Sequence, residues 1–326
     1  MECLTLVFYT ILMTLSQLKG FLAVVDSNSF SEAALELGVS QAAISHSIAE
    51  LEHELGVKLL ERGRFGARPT QAAFGIIEHA RKMLQSEAAI SQEVALHKGL
   101  VRGRLRVAVF HSVAYHLMPP LMKRLSEKYP GLDVMMLEPV SADAQECTNT
   151  YANVLRKAEV DLAFLHLPAS NVNLNDILSW RILTDPYVAV VPQSFKKDKL
   201  SKKDLYDHPL ITEAERSCGE SIRSYLEVEA PGVKPKYNIQ DENAMLNMTA
   251  QGLGVAIMAK LTITHVPEGL KIVALPSTLE RTISIGVQAS HFKTPAVRAF
   301  LSTLKELYPE SELPHLSSRK DAAMMH

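Results

Sequence analysis

Apolar positions recur at helical spacing over the first hundred residues and at strand spacing after them. In residues 15–27, LSQLKGFLAVVDS, the positions Leu15, Leu18, Phe21, Leu22 and Val25 share a face and predict a first helix. Ser29-Phe30-Ser31-Glu32 has the capping-box spacing, Ser29 at the cap and Glu32 three residues on, and opens a short helix over 30–37 closed at Gly38. Ser40 stands where a cap is needed for a third helix, running to Leu55, in which Ile44, Ile48, Leu51 and Leu55 form the apolar stripe. Its other face carries Gln41, Ala42, Ser45, His46 and Ala49, with no Lys, Glu or large hydrophobe. Two short helices joined by a tight Gly turn make a helix-turn-helix pattern.

The next stretch, LLERGRFGARPT over 59–70, places Arg62, Arg64 and Arg68 around Gly63 and Gly66 and reads as a basic β-ribbon, or wing. Residues 71–97 then contain no Pro, and Ile76, Ala80, Met83, Ile90 and Val94 keep a 3.5-residue repeat interrupted by Glu87. A stripe that narrow suits pairing of one helix with another. Beyond Gly99 and Gly103 the pattern changes. LRVAVF (105–110), LDVMML (132–137), VDLAFL (160–165), YVAVV (187–191), GVAIM (254–258) and ISIGV (283–287) are strand-like, and helical segments such as LMPPLMKRLSEKYP and ENAMLNMTAQG lie between them. That alternation predicts an α/β layout in two lobes. From Ser311 the chain turns polar and reads as a frayed tail.

Composition alters this picture little. The chain has 326 residues, 47% of them apolar and 21% charged, enough for two or three domains. Cys3, Cys147 and Cys218 are too few and too scattered for a disulfide framework, which fits a reducing cytoplasm. The opening run MECLTLVFYTILM lacks the basic start and cleavage site of a signal peptide and is too short to span a bilayer. Residues 1–12 are read as a short extension, or as preceding a true start at Met13.

Charge matters more by distribution than by sum. Residues 1–98 hold eight Lys and Arg against eleven Asp and Glu, a net of −3, which is poor for a nucleic-acid binder judged in bulk. Yet Lys58, Arg62, Arg64 and Arg68 face only Glu61 across residues 58–68. Arginines in a wing reach phosphates or the minor groove. In the third helix, Gln bonds adenine bidentately, Ser bonds bases or phosphate, and Ala touches a thymine methyl. Ser29, Ser31, Ser40, Gln41, Ala42, Ser45, His46, Arg62, Arg64 and Arg68 are therefore the candidate DNA contacts. The competing reading is a solvated helix face and an ordinary basic loop.

The text AALELGVSQAAISHSIAELEHELGVKLLER, residues 33–62, resembles the LysR-type transcriptional regulators, and weaker similarity runs to about residue 305 through VDLAFL, ILTDPYVAVVP, AQGLGVAI and PAVRAFL. The resemblance implies a winged helix-turn-helix over 13–70 and a linker helix over 71–98 that dimerises the chain. It implies a two-lobed, periplasmic-binding-protein-like α/β effector domain over 103–310, with lobe I at 103–185 and 282–310 and lobe II at 186–281, before a tail at 311–326. A homotetramer, RNA polymerase as partner and a cytoplasmic location also follow from it. Two departures stand out. Pro69-Thr70-Gln71-Ala72-Ala73 replaces the family's usual Leu-Thr-x-Ala-Gly, and Ala158-Glu159 replaces its Gly-Glu.

On that reading the effector sits between the lobes, near strand ends and helix N-termini, which favour anions. His111, Ser112 and Val113 follow one strand, Thr212 ends another, and Cys218 and Ser221 open a helix; with His166 these are the candidate contacts for a small organic anion. Plain capping by the serines and structural roles for the histidines are the alternatives. Cys218 also raises a thiol-based redox switch, although no cysteine follows it in the chain. No cofactor, metal-spaced Cys/His set or phosphate loop is evident, and Gly252-Leu253-Gly254 is a turn into a strand rather than a nucleotide fingerprint. A solute-binding module, or an enzyme built on the α/β lobes, stays open as an alternative with no gene-regulatory role.

Overall fold

A computed structural model describes residues 13–63, 66–98, 100–139, 147–167, 174–213 and 219–314. The chain divides into two compact units, Met1–Ser91 and Gln92–His326.

The first unit begins with α1 (Leu15–Ser27), α2 (Phe30–Leu37) and α3 (Gln41–Leu55). Thr14 caps α1 reciprocally with Gln17, a capping box that the sequence pattern places one helix later. At α2 only half of the expected box forms. Ser29 accepts the Glu32 N–H, but the Ser29 N–H is taken by the Ser27 hydroxyl, so Glu32 has nothing to reach back for. Gly38 ends α2 in the left-handed region at φ 66°, where a side chain would be strained. Ser40 accepts the Ala43 N–H at 3.1 Å and starts α3. Ile44, Ile48 and Leu51 of α3 bury against Leu18, Phe21 and Val24 of α1 and the small Ala33 and Ala34 of α2.

After α3 come β1 (Leu60–Gly63) and β2 (Gly66–Pro69), an antiparallel ribbon with Glu61 opposite Arg68. The linker helix α4 runs Ala73–His97, two residues shorter at its start than the pattern suggests. Thr70 accounts for the difference: its hydroxyl accepts the Ala73 N–H and also donates to the Lys58 carbonyl, tying the helix entry to the ribbon. Along α4, Ala80 is buried in the core and Ile76 packs against it, while Met83, Ile90 and Val94 are exposed, Ile90 at 68%.

The second unit contains β3 (Arg102–Ala108), α5 (His111–His116), α6 (Met118–Lys128), β4 (Gly131–Leu137), α7 (Cys147–Arg156), β5 (Leu162–Leu167), β6 (Ile177–Pro192), α8 (Lys202–Asp207), β7 (Leu210–Glu213), α9 (Gly219–Glu229), β8 (Tyr237–Ile239), α10 (Glu242–Ala250), β9 (Val255–Ala259), β10 (Leu270–Val273), β11 (Glu280–Gln288) and α11 (Pro295–Leu307). The strand order is β4-β3-β5-β11-β6-β9-β7-β8, with β10 added on β6. Strand β6 belongs to both halves. Residues 177–186 pair antiparallel with β11, whereas residues 187–190 pair with β9 and residues 189–192 with β10. The β3–β4–β5 ladder is parallel, as its crossovers through α5–α6 and α7 require.

Each half has its own apolar core. One lies between β3, β5, β11 and helices α5, α6 and α11, with Phe164 and Phe300 fully buried. The other packs Tyr187, Leu205, Leu226 and Ile257 around α8 and α9. Ser311–Pro314 depart from the frayed tail expected of them. Leu313 is buried in the first of these cores, and Glu312 pairs with Arg181 on β6 at 3.0 Å.

Candidate DNA interface and effector-site residues

Burying Ile44, Ile48 and Leu51 turns the opposite side of α3 outward. Gln41, Ala42 and His46 are exposed, and Ser45 is half-buried beside them. His46 Nδ1 stands 3.5 Å from Glu50 Oε1, one turn on. The exposed start of this helix therefore carries an amide, a methyl and an imidazole, the short groups that suit base edges in a major groove. Ser29 and Ser40 spend their hydroxyls as helix caps, and Ser31 is exposed. Arg68 is exposed on β2. The side chain of Arg62 and the whole of Arg64 lie outside the described residues.

What orients the ribbon against α3 is Glu52, a residue that the sequence pattern does not distinguish from the other acidic residues in the later half of the helix. Its carboxylate is buried and accepts the N–H groups of Leu59 (2.9 Å) and Leu60 (3.1 Å), and Lys58 pairs with its other oxygen. Burial pushes this carboxyl up, but Lys58 and the two backbone donors outweigh burial and hold it below its ordinary value. The far strand is held by the buried Ala67 and by backbone contacts. Ala67 N–H donates to the Asn28 carbonyl at 2.9 Å, and Gly66, at φ 106°, passes so close to that carbonyl that a Cβ would collide with it.

The effector candidates fall into different environments. His111 is exposed at the start of α5, whose first turn no side chain caps. Val113 is fully buried in the apolar core, on the face of α5 that packs inward. Thr212 is also buried, its hydroxyl 3.0 Å from Asn238 Oδ1. Ser221 is half-buried on α9, and Cys218 lies outside the described residues, as does the side chain of Cys147.

Ser112 and His166 belong to a buried cluster around two residues that the sequence does not single out. Arg281 on β11 and Asp185 on β6 face each other in register and pair at 2.8 Å, with their side chains 4% and 1% exposed. Arg281 also donates to the Ser112 hydroxyl at 2.9 Å and lies over the Phe110 ring at 5.7 Å. The second oxygen of Asp185 accepts the Leu261 N–H at 3.0 Å. His166 meets the edge of Phe110, their centroids 5.9 Å apart. Burial, then the positive charge of Arg281, pushes His166 down to about 4, so it is neutral near pH 7. The signal available in advance is a lone Asp in the run ILTDPYVAVV and a lone Arg before ISIGV; which charge faces which is a matter of strand pairing. Among the described residues no cluster of His, Cys, Asp and Glu is arranged to hold a metal. No helix among them is long and apolar enough to cross a membrane.

Comparison with known proteins agrees with this two-part layout. The family model described as the bacterial regulatory helix-turn-helix protein of the lysR family matches residues 15–74, and the LysR substrate binding domain matches residues 98–309. The probable HTH-type transcriptional regulator LrrA of Synechococcus elongatus is 36% identical over 300 residues, 91% of this chain and 98% of that protein. Among solved structures, a full-length OxyR variant from Pseudomonas aeruginosa gives a TM-score of 0.69 at 22% identity, over 90% of this chain and 98% of that one. Full-length CbnR complexed with its target DNA gives 0.62 at 21%, over 90% and 99%. At such identities these two speak for the fold. A helix-turn-helix domain of the lysR family followed by a LysR substrate binding domain is what these matches describe, and the chain belongs to the LysR family of DNA-binding transcriptional regulators.

Proposed function

We propose that this regulator binds a specific operator by inserting α3 into the major groove, with Gln41, Ala42, Ser45 and His46 at base edges. Ser29, Ser31, Ser40 and the wing residues Arg62, Arg64 and Arg68 hold the backbone or the minor groove. The exposed, uncharged start of α3 carries the reading, because base discrimination needs short donors and acceptors that solvent and DNA can reach. The capture of target DNA by CbnR supports it by likeness of fold.

One such unit makes few phosphate contacts and binds weakly. Pairing through α4 supplies the second half-site. The exposed Met83, Ile90 and Val94 leave an apolar stripe on that helix that a second copy would cover. Two such dimers make a tetramer in the cytoplasm, acting on RNA polymerase. A small organic anion between lobe I (103–185 and 282–310) and lobe II (186–281) adjusts the spacing of the dimers. Its anionic group sits at the start of α5, beside His111 and the Ser112–Arg281 pair, and Ser221 faces it from the other lobe; Cys218, outside the described residues, is assigned to the same set.

A gel-shift titration against the DNA upstream of the gene, repeated from 50 to 200 mM salt, tests the reading. Selective binding that weakens steeply with salt is the expected result. Equal affinity for this and unrelated DNA at every salt concentration contradicts it.

A further inference from the structure

A cavity opens in the effector domain, lined by none of the residues assigned above to the effector. It has a volume of about 500 Å³, within the range of small-molecule sites, and lies where β6 passes from one set of strand partners to the other. Leu183, Pro186, Leu261, Ile263, Val266 and Ile272 are its apolar lining. The polar lining residues are His116, Thr184, Asp185, Lys260, Thr264 and His265. His116, at the end of α5, lines the cavity, and its Nε2 is buried with no hydrogen-bond partner among the described residues. Lys260, which is exposed, and His265 also belong to the lining. The single carboxylate in the lining, Asp185, is engaged by Arg281 and by the Leu261 N–H.

A chamber with an orphaned imidazole nitrogen, a lysine, two threonines and a carboxylate already neutralised by Arg281 is short of negative charge. We propose that this cavity is a second ligand site, taking a small, largely apolar monocarboxylate. The apolar body replaces water against Leu183, Leu261 and Ile263, and the carboxylate accepts from His116 Nε2 and Lys260. The site is joined to the start of α5 by the chain Asp185–Arg281–Ser112. It does not depend on the ligand read at the cleft, and its test involves no DNA, so failure of either reading leaves the other standing.

Calorimetric titration of the full-length chain with 2-naphthoate and with octanoate, and with 2-naphthamide as the uncharged counterpart, tests the proposal. One-to-one binding of at least one carboxylate is expected. Lys260→Gln should weaken it about tenfold, the scale of a lost charge-assisted hydrogen bond, and 2-naphthamide should bind more weakly than 2-naphthoate. Val266→Trp, which fills the chamber from an exposed position, should weaken it by at least as much, while Ser221→Ala leaves it unchanged. A melting curve for each variant checks that it is folded. Absence of saturable binding by both carboxylates overturns the proposal. So does binding that Lys260→Gln and Val266→Trp leave intact, or that Ser221→Ala removes.

Discussion

The Oε1 atom of Glu52, near the end of α3, accepts the backbone N–H of Leu59 at 2.9 Å, one residue before β1 begins. The same oxygen takes the Leu60 N–H, so one buried carboxylate sets the wing against the helix. Glu52→Ala leaves two buried donors unmet, and loss of about 1–3 kcal/mol of stability is expected from such orphaned groups. The Leu59 and Leu60 amides should exchange with deuterium faster in the variant than in the parent. The carboxyl is held below its ordinary value, so its contribution is full at neutral pH and is lost as pH falls through and below the usual carboxylate range. Unchanged exchange in Glu52→Ala would mean that the ribbon docks by other means.

The Asp185–Arg281 pair is buried on both sides, and removing one partner strands the other charge. Arg281→Met should destabilise the chain by about 3–5 kcal/mol. Adding Asp185→Asn should restore part of that loss, because the amide still accepts the Leu261 N–H without carrying charge. Urea denaturation of the two variants and the parent measures the difference. A double variant no more stable than Arg281→Met would show that the buried charge is not what costs stability.

His166 makes a pH prediction of definite sign. Its folded value of about 4 lies below that of an unfolded histidine near 6.5, so protons favour the unfolded chain between those limits. Stability should therefore fall as pH drops from 7 to 5, by about 2 kcal/mol from this residue. The drop should be smaller by that amount in His166→Gln, measured by urea denaturation at the two pH values. An identical drop in both proteins would place the titration elsewhere.

Much of the first unit is legible in the sequence because its helices carry their own punctuation. Gly38 and Ser40 mark the turn between α2 and α3, and the Ile44, Ile48, Leu51 repeat marks the buried face, all of it local information. The six strand-like runs fall on β3, β4, β5, β6, β9 and β11 for a similar reason: each is an apolar run long enough to read alone. The short β8 and β10 escape such a reading, since three or four residues completed by pairing elsewhere carry little pattern. Among the site residues, the face of Gln41 and His46 is legible from helical periodicity. Glu52, Asp185 and Arg281 are not, because each matters through a partner brought to it by the fold, and charge in a strand or on a helix looks the same whether it faces water or a buried mate. The burial of Val113 is not legible in the sequence, because α5 is a single short helix in which inward and outward positions are too few to show a period.

Competition binding of Gln41→Ala and Arg68→Ala, each against the operator and against random DNA across a salt series, tests base reading by α3 most directly. Gln41→Ala should lose about 1–3 kcal/mol on the operator and almost nothing on random DNA, whereas Arg68→Ala should weaken both alike and lower the salt slope by about one. Equal losses on both DNAs for Gln41→Ala, or none on either, would contradict the placement of this helix in the groove.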